Sequence, residues 1–375
     1  MKMQGIKNSN IYVDGKGVIK TSLLVKDGRI THIGEVAENL SDLITLPDDQ
    51  IVVPGFIDQH IHGCFGIDTM EATPAELLLM GEQLLQEGVT YFCPTTMTMA
   101  KKKIIDALKN IVKAKKMKTK GAEILGAHLE GPFLSPAYAG VQDPRYLSRG
   151  DKQYLQELLK AANEEIAIVT YAPEEDGIKI LPLILSLGIT ASVGHTNATF
   201  FEAQTAFKAG ASCTTHTFNA MRGIHHREIG TLGALLLNDR VYSELIADFH
   251  HVSPEAIRLL FKMKGPEKVI LVSDAIEAKY LPDGEYQLGG QKVFVKNGQA
   301  RNAMGILAGS ILRLDQALKN IKEILPELSF TQIIDLVTKN PAANLNIPDI
   351  GSIKVGNRAR FTVVDKDFKV IKTLI

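Results

Sequence analysis

No sign of charge dominates this sequence. Its 375 residues contain 42 Lys plus Arg and 42 Asp plus Glu, so the formal net charge is zero. A chain without excess positive charge has no bulk attraction for nucleic acid or for an anionic membrane. We therefore expect neither partner, and an anionic ligand would have to be held by a local site.

Cysteine is scarce, and long apolar runs are absent. Cys64, Cys93 and Cys213 show no Cys-x-x-Cys spacing and lie in or just after apolar runs, which is typical of free buried thiols in a reducing compartment. No run approaches the roughly 20 apolar residues of a membrane span, and residues 1–5 lack the apolar stretch of a secretion signal. Neither a P-loop nor a dinucleotide fingerprint occurs. We expect a cytoplasmic protein.

The two ends of the chain are rich in short strands. Between Ile6 and Ile51, alternating runs are separated by turn signals such as Asp14-Gly15 and Asp27-Gly28, which are typical of antiparallel hairpins. Short strands return after Gly351. The sequence thus predicts one discontinuous terminal domain, a small β-sandwich built from residues 1–53 and 345–375.

Between residues 54 and 344, apolar strands alternate with amphipathic helices such as Lys101 to Lys116. Eight alternating units favour a (β/α)8 TIM barrel over an open doubly wound sheet. A Gly-rich piece, Leu281 to Arg301, is predicted to be a β-hairpin beside the active face, before a last helix from Ile311 to Ile321. The predicted strands end near His62, Thr95, Glu130, Ala172, His195, His216, His250 and Asp274.

Several possible metal ligands follow these strands, at the barrel face where active sites lie. His60 and His62 are two residues apart, so both point to the same side of an extended strand. A hydrogen-bonded structural role would explain any one of the histidines, but the whole set on one face predicts a catalytic Zn²⁺ or Fe²⁺ site. The predicted ligands are Glu130, His195, His216, His60 and His62, with Asp274 as an acid beside them.

A second polar cluster follows His216. It contains Arg and His side chains, which together with backbone amides suit a phosphate group. A solvated basic loop would explain the same residues. His128 differs from both sets, since its alternation places it inside the barrel near Glu130, where we expect a packing or supporting role. The cluster comprises Asn219, Arg222, His225, His226 and Arg227, with His250 and His251 after strand seven.

Six motifs carry a resemblance to a known family. The first looks like the first-strand signature of the amidohydrolase superfamily, and the others are similar to the N-acetylglucosamine-6-phosphate deacetylase family within it. They occur in order along nearly the whole chain. The motifs are Pro54 to Gly63, His128 to Phe133, Val193 to Ala198, Thr215 to Met221, Leu271 to Ala275 and Leu307 to Ser310.

The resemblance implies a reaction and roles for its residues. N-acetyl-D-glucosamine 6-phosphate and water would give D-glucosamine 6-phosphate and acetate, through attack by a metal-bound hydroxide with Asp274 as general base and acid. Glu130, His195 and His216 match the principal metal ligands. Because His60 and His62 are both present, a second ion bridged by Glu130 is predicted.

Substrate contacts are implied in the same way. Asn219, Ala220, Arg227 and His251 match positions that contact the sugar phosphate, and in the family Arg227 and His251 would reach the neighbouring subunit's site across a homodimer. Val141, Leu307, Ala308 and Gly309 match substrate-lining positions. Gln142, or else His128, would donate a hydrogen bond to the acetamide carbonyl.

Two alternatives remain open at this point. A deacetylase of N-acetylgalactosamine 6-phosphate, or another amide hydrolase of the superfamily, would use the same site. A non-catalytic assembly protein with an amidohydrolase-like barrel would not, and the presence of every predicted ligand and of Asp274 argues against it.

Overall fold

Both ends of the chain meet in one six-stranded sheet. The computed structural model describes residues 4–37 and 43–375. The sheet is mixed. Gly5–Val13 pairs in parallel with Ile51–Pro54, whereas the hairpins that we predicted are antiparallel. In spatial order the strands are Val370–Leu374, Phe361–Val364, Ile51–Pro54, Gly5–Val13, Gly17–Lys26 and Arg29–Gly34.

This sheet has its own small core. Ile6, Ile11 and Leu23 are fully buried there and pack with Val363 and Ile353. Alternation along the strands puts these apolar side chains on one face, while His32 lies on the third strand and is exposed. A terminal β domain is confirmed, and its predicted boundaries at residues 53 and 345 stay a prediction.

Eight parallel strands form the barrel in the middle of the chain. Neighbouring strands are paired in parallel, and single bridges from Thr95 to His128 and from Ile61 to Ala275 close the ring. The predicted TIM barrel is confirmed. Barrel strands 1 to 8 are Phe56–Ile61, Val89–Pro94, Ala127–Glu130, Ile166–Tyr171, Thr190–Val193, Cys213–Thr214, Tyr242–Leu245 and Val269–Leu271.

Helices cover the outside of the barrel. Thr73 caps the first of them with a capping box, and a Pro occupies the first helical position. Across the described part of the chain, every helix is too short or too polar to cross a lipid bilayer. The helices are Pro74–Leu84, Lys101–Lys116, Lys152–Ala161, Ile178–Ser186, Phe200–Lys208, Gly230–Leu236, Pro254–Lys264, Leu314–Ile324, Phe330–Asp335 and Lys339–Asn344.

Three details differ from the prediction. Barrel strand 7 ends at Leu245 rather than near His250, because Asp248 Oδ1 accepts the amides of the next residues and forms a turn. The last barrel helix begins at Leu314 instead of Ile311, since Ser310 is still paired with the barrel. The helix Gly230–Leu236 escaped prediction because all its residues are buried, so it has no amphipathic pattern.

The predicted hairpin has a third strand. Gly284–Leu288, Gln291–Lys296 and Gln299–Asn302 form an antiparallel sheet after barrel strand 8. Arg301 in its last strand forms an antiparallel bridge with Leu307. The chain then returns to the barrel at Ser310, whose amide donates a hydrogen bond to Asp274 O at 2.8 Å. The small sheet is thereby tied to the carboxyl end of barrel strand 8.

Candidate functional site

The two histidines of barrel strand 1 lie side by side at its carboxyl end. His60 and His62 are buried, and their Nε2 atoms are 3.4 Å apart. Asp274 Oδ1, after strand 8, is 3.4 Å from His60 Nε2 and 3.2 Å from His62 Nε2. The three side chains thus present ligand atoms to one point, as the strand pattern predicted.

A second group of three lies next to the first. Glu130 Oε1 is 3.1 Å from His216 Nε2 and 3.3 Å from His195 Nε2. The same carboxylate reaches the first group, with Oε1 3.5 Å from His60 Nε2 and Oε2 3.3 Å from His62 Nε2. Glu130 therefore stands between the two groups, where a bridging ligand would be placed.

The backbone turns sharply where these side chains leave their strands. His195, His216 and Asp274 have positive φ angles of 46°, 29° and 48°. Residues other than Gly rarely adopt this left-handed backbone conformation, which costs roughly 1–3 kcal/mol per residue. Three such residues in a single cluster indicate that the fold directs their side chains into the centre at the expense of local stability.

The chemistry of the donor set fits a divalent cation. Three imidazoles present Nδ1 to an acceptor outside the centre, so Nδ1 carries the hydrogen and the Nε2 lone pair points inward. Inside, the Nε2 atoms of His195 and His216 are only 3.1 Å apart. Among the described residues His216 Nδ1 has no hydrogen-bond partner, so a hydrogen there would leave its Nε2 lone pair facing inward as well, where a cation between the two nitrogens would be held by both. The outer contacts are His60 Nδ1 to Glu244 Oε2 at 3.0 Å, His62 Nδ1 to Thr95 O at 3.2 Å and His195 Nδ1 to Tyr138 O at 2.9 Å.

The electrostatics of this cluster also favour a bound cation. Burial lowers the pKa of His60, but the carboxylates of Asp274, Glu130 and Glu244 raise it to about 9. Burial also lowers the pKa of His62, which hydrogen bonds to Asp274 and Glu130 raise to about 10. For Asp274, burial raises the pKa and the His60 and His62 imidazoles lower it to about 2. Without an ion, bound protons supply the positive charge that the carboxylates require.

A cavity of about 460 Å³ opens onto this cluster. Seven of the nine predicted substrate-binding residues line it. Ala308 does not, since it is turned away from the cavity and its amide donates a hydrogen bond to Ala300 O at 3.0 Å. Arg227 is exposed and does not line it. The predicted residues that do are Val141, Gln142, Asn219, Ala220, His251, Leu307 and Gly309.

His251 lines the cavity of its own chain, where its Nδ1 contacts Asp248 Oδ2 at 2.7 Å. The turn that ends barrel strand 7 directs it there. The predicted reach of His251 and Arg227 across an interface stays a prediction.

The two proposed carbonyl donors are placed differently. Both ring nitrogens of His128 are engaged, with Gln59 O at 3.1 Å and Thr170 Oγ1 at 2.7 Å, and burial together with the charge of His60 lowers its pKa to about 3. It has no hydrogen free for a substrate, so only the predicted supporting role fits. Gln142 lines the cavity, and its Nε2 donates to Glu130 Oε2 at 2.9 Å.

Two residues of the site escaped prediction. Glu244 lies inside barrel strand 7 and contacts His60 from behind, and the signal for it was a lone Glu within the apolar run from Val241 to Ala247. Arg301 lines the cavity from the small sheet, where it could not be distinguished from a surface residue of a hairpin.

Known proteins share this arrangement of chain and fold. Residues 51–375 match the Amidohydrolase family. The chain is 39% identical over 376 residues to the N-acetylglucosamine-6-phosphate deacetylase of Bacillus subtilis, an alignment that covers 98% of this chain and 95% of that protein. It is 34% identical over 350 residues to the N-acetylgalactosamine-6-phosphate deacetylase of Escherichia coli, covering 93% and 91%.

A solved structure agrees over the same length. The mutant N-acetyl-D-glucosamine-6-phosphate deacetylase of Mycobacterium smegmatis, in complex with N-acetyl-D-glucosamine-6-phosphate, superposes with a TM-score of 0.90 at 30% identity, covering 98% of this chain and 97% of that one.

Proposed function

The chain belongs to the amidohydrolase family, and from this premise we propose that it hydrolyses the acetamide of N-acetyl-D-glucosamine 6-phosphate, giving D-glucosamine 6-phosphate and acetate. One observation carries the proposal. Four inward-facing imidazoles and two carboxylates converge at the end of a cavity large enough for a sugar phosphate. Relatives with that named activity match the chain over nearly its whole length.

The protein's own residues would hold one or two divalent ions. Glu130, His195 and His216 form the first site, and His60 and His62 form the second, with Glu130 between them. Imidazole and carboxylate ligands suit Zn²⁺ and Fe²⁺ alike. A divalent ion there supplies Lewis acidity, which lowers the pKa of water toward about 7 and polarises an amide carbonyl.

Asp274 carries the proton. It faces the cavity beside His60 and His62, and a carboxylate is ionised at neutral pH. An ionised carboxylate accepts the proton of the attacking water and returns it to the departing amine, so that the amine leaves neutral. Gln142 Nε2 also has a weak contact with Met97 Sδ at 3.5 Å, and in place of that contact it would donate its second N–H to the carbonyl oxygen.

The far part of the cavity would hold the sugar and its phosphate. Asn219, Ala220, His251 and Arg301 supply polar contacts there, and the guanidinium of Arg301 adds a fixed positive charge. Arg227 is exposed and away from its own cavity, so a contact with the phosphate would come from a second copy of the chain in a homodimer. The three buried free cysteines support a reducing, cytoplasmic location.

Acetate release tests the function directly. Purified protein is given N-acetylglucosamine 6-phosphate, with metal content determined on the same sample and unphosphorylated N-acetylglucosamine as the control. We expect rapid release that requires both the metal and the phosphate, and only slow release from the unphosphorylated sugar. A metal-loaded protein that releases no acetate would overturn the proposal.

The galactosamine isomer is the second candidate, because the chain also resembles a deacetylase of N-acetylgalactosamine 6-phosphate at 34% identity. The two sugars differ at one hydroxyl group. Measuring kcat/KM for both sugar phosphates on one sample decides between them, since the true substrate is the one with the higher value.

A further inference from the structure

Glu244 is a buried carboxylate that the reaction itself does not use. It lies within barrel strand 7 and is fully buried. Its Oε2 contacts His60 Nδ1 at 3.0 Å and accepts the amide of His216 at 3.3 Å, while Oε1 accepts Gln59 Nε2 at 2.7 Å. One carboxylate thus contacts a side chain of one metal group and the backbone of the other.

The contact with His60 determines how this imidazole faces the centre. An ionised carboxylate can only accept hydrogen bonds, so His60 Nδ1 must donate. When an ion displaces the second proton of His60, Nε2 is left with a lone pair, 3.4 Å from Asp274 Oδ1 and 3.5 Å from Glu130 Oε1. In that orientation His60 can serve as a ligand.

The other oxygen of Glu244 is fixed from behind. Gln59 donates to Oε1, and its own Oε1 accepts Asn344 Nδ2 at 3.1 Å. The backbone carbonyl of Gln59 accepts a hydrogen bond from His128 Nδ1. The floor under the cluster is therefore a connected polar layer in which Glu244 has little freedom to turn.

We propose that Glu244 is a positioning residue that selects the His60 tautomer needed for a second divalent ion at His60, His62 and Asp274. The inference rests on the metal-dependent function proposed above. The effect should fall mainly on the second ion, because Glu244 contacts the His60 imidazole directly, whereas its contact with the other group is with a backbone amide, that of His216.

Glu244→Gln tests this with little change in size. Gln59 Nε2 favours the amide oxygen of the new side chain, which turns its NH₂ toward His60 Nδ1. The imidazole proton then moves to Nε2, where it faces Asp274 and Glu130, and the second ion loses a ligand. Loss of a supporting hydrogen bond typically weakens metal affinity by roughly 10–100-fold.

The readout is zinc stoichiometry and affinity, measured by titrating metal-free protein with Zn²⁺ in a calorimeter. We expect two equivalents in the wild type and in the control Ser243→Ala, a buried neighbour in the same strand whose hydroxyl has no hydrogen-bond partner. Glu244→Gln and His60→Asn should each keep the first ion and lose affinity for the second. The double variant should be no weaker than His60→Asn alone.

Several results would overturn the inference. One is two unweakened equivalents in Glu244→Gln, and another is a single equivalent in the wild type. Additive losses in the double variant would show a general structural role. Should Glu244→Gln fail to fold, ¹⁵N spectra of the zinc-loaded wild type still test the proposal, since a His60 that carries its proton on Nε2 contradicts it. Acetate release by the wild type remains a separate test of the proposed function.

Discussion

Glu130 and His216 face each other across the centre of the site, with Glu130 Oε1 3.1 Å from His216 Nε2. They come from barrel strands 3 and 6, which are separated by two other strands in the ring. Glu130 also lies within 3.5 Å of His60, His62 and His195. A single carboxylate therefore holds the whole cluster together, and it should be the least replaceable residue of the site.

Glu130→Gln should abolish tight metal binding at both positions. The amide keeps the size of the side chain but removes the negative charge that offsets a dication among four imidazoles. We expect a loss of metal affinity beyond the roughly 10–100-fold that removal of an outer hydrogen-bond partner costs, and no measurable turnover. Elemental analysis after desalting, with Glu82→Gln as a control at an exposed carboxylate of the first helix, measures this. Full metal content in the variant would contradict the assignment.

Asp274→Asn should separate metal binding from proton transfer. The Asn side chain cannot accept and return a proton, so kcat should fall by roughly 10²–10⁴-fold, the usual contribution of general acid–base catalysis. The ion at Glu130, His195 and His216 should remain, because Asp274 is grouped with the other two histidines. Steady-state kinetics and metal analysis on one sample give both numbers. Unchanged turnover would refute the role of Asp274.

The positions of the ligands at strand ends were predictable because a barrel places the carboxyl ends of all its strands on one face. Each predicted ligand ends an apolar run, and parallel strands with helical crossovers can only bring those ends together. Glu130, His195 and Asp274 therefore followed from periodicity. Of the polar residues under the cluster, His128 was placed correctly because it shares a strand with Glu130.

What lies behind or above the site was harder to predict. Glu244 contacts His60 across 184 sequence positions, and no local pattern encodes that distance. The lining role of Arg301 depends on how a small sheet is placed over the barrel. The contact of His251 with its own cavity was not predicted, because the end of strand 7 was placed near His250, beyond the Asp248 turn that directs this histidine inward.

Arg301→Met should weaken binding of the phosphate without slowing chemistry. A charged hydrogen bond contributes roughly 1.5–3 kcal/mol, so KM for the phosphorylated substrate should rise about tenfold or more, with kcat nearly unchanged. Slow activity on unphosphorylated sugar should be unaffected. Arg240→Met, an exposed arginine outside the cavity, is the matched control. Equal effects on both substrates would show that Arg301 supports the fold of the small sheet instead.

Metal-dependent stabilisation should grow with pH. The raised pKa values of His60 and His62 stabilise the metal-free protein fully below about 6.5, and this contribution is lost as the pH rises through about 9 and 10. A bound ion replaces those protons, so the loaded protein avoids the loss. The increase in Tm on adding Zn²⁺ should be larger at pH 9 than at pH 6.5.

Calorimetry of metal-free and zinc-loaded protein at both pH values measures that increase. The His60→Asn variant should show a smaller pH dependence, because one of the two groups is gone. An increase in Tm that is constant or that shrinks as the pH rises would mean that these histidines do not exchange protons for the ion.

Mixed dimers can test whether Arg227 acts across an interface. Arg227 is exposed, its guanidinium contacts His226 Nε2 at 2.8 Å, and it does not line the cavity of its own chain. Arg227→Met should raise KM for the phosphorylated substrate, and Glu130→Gln should be inactive. In a dimer of one chain of each variant, the intact metal site lies in the Arg227→Met chain and receives the native arginine from the other chain. Its KM should return to the wild-type value. Sedimentation establishes the dimer, and a fully active monomer, or a mixed dimer that keeps the raised KM, would exclude the contact.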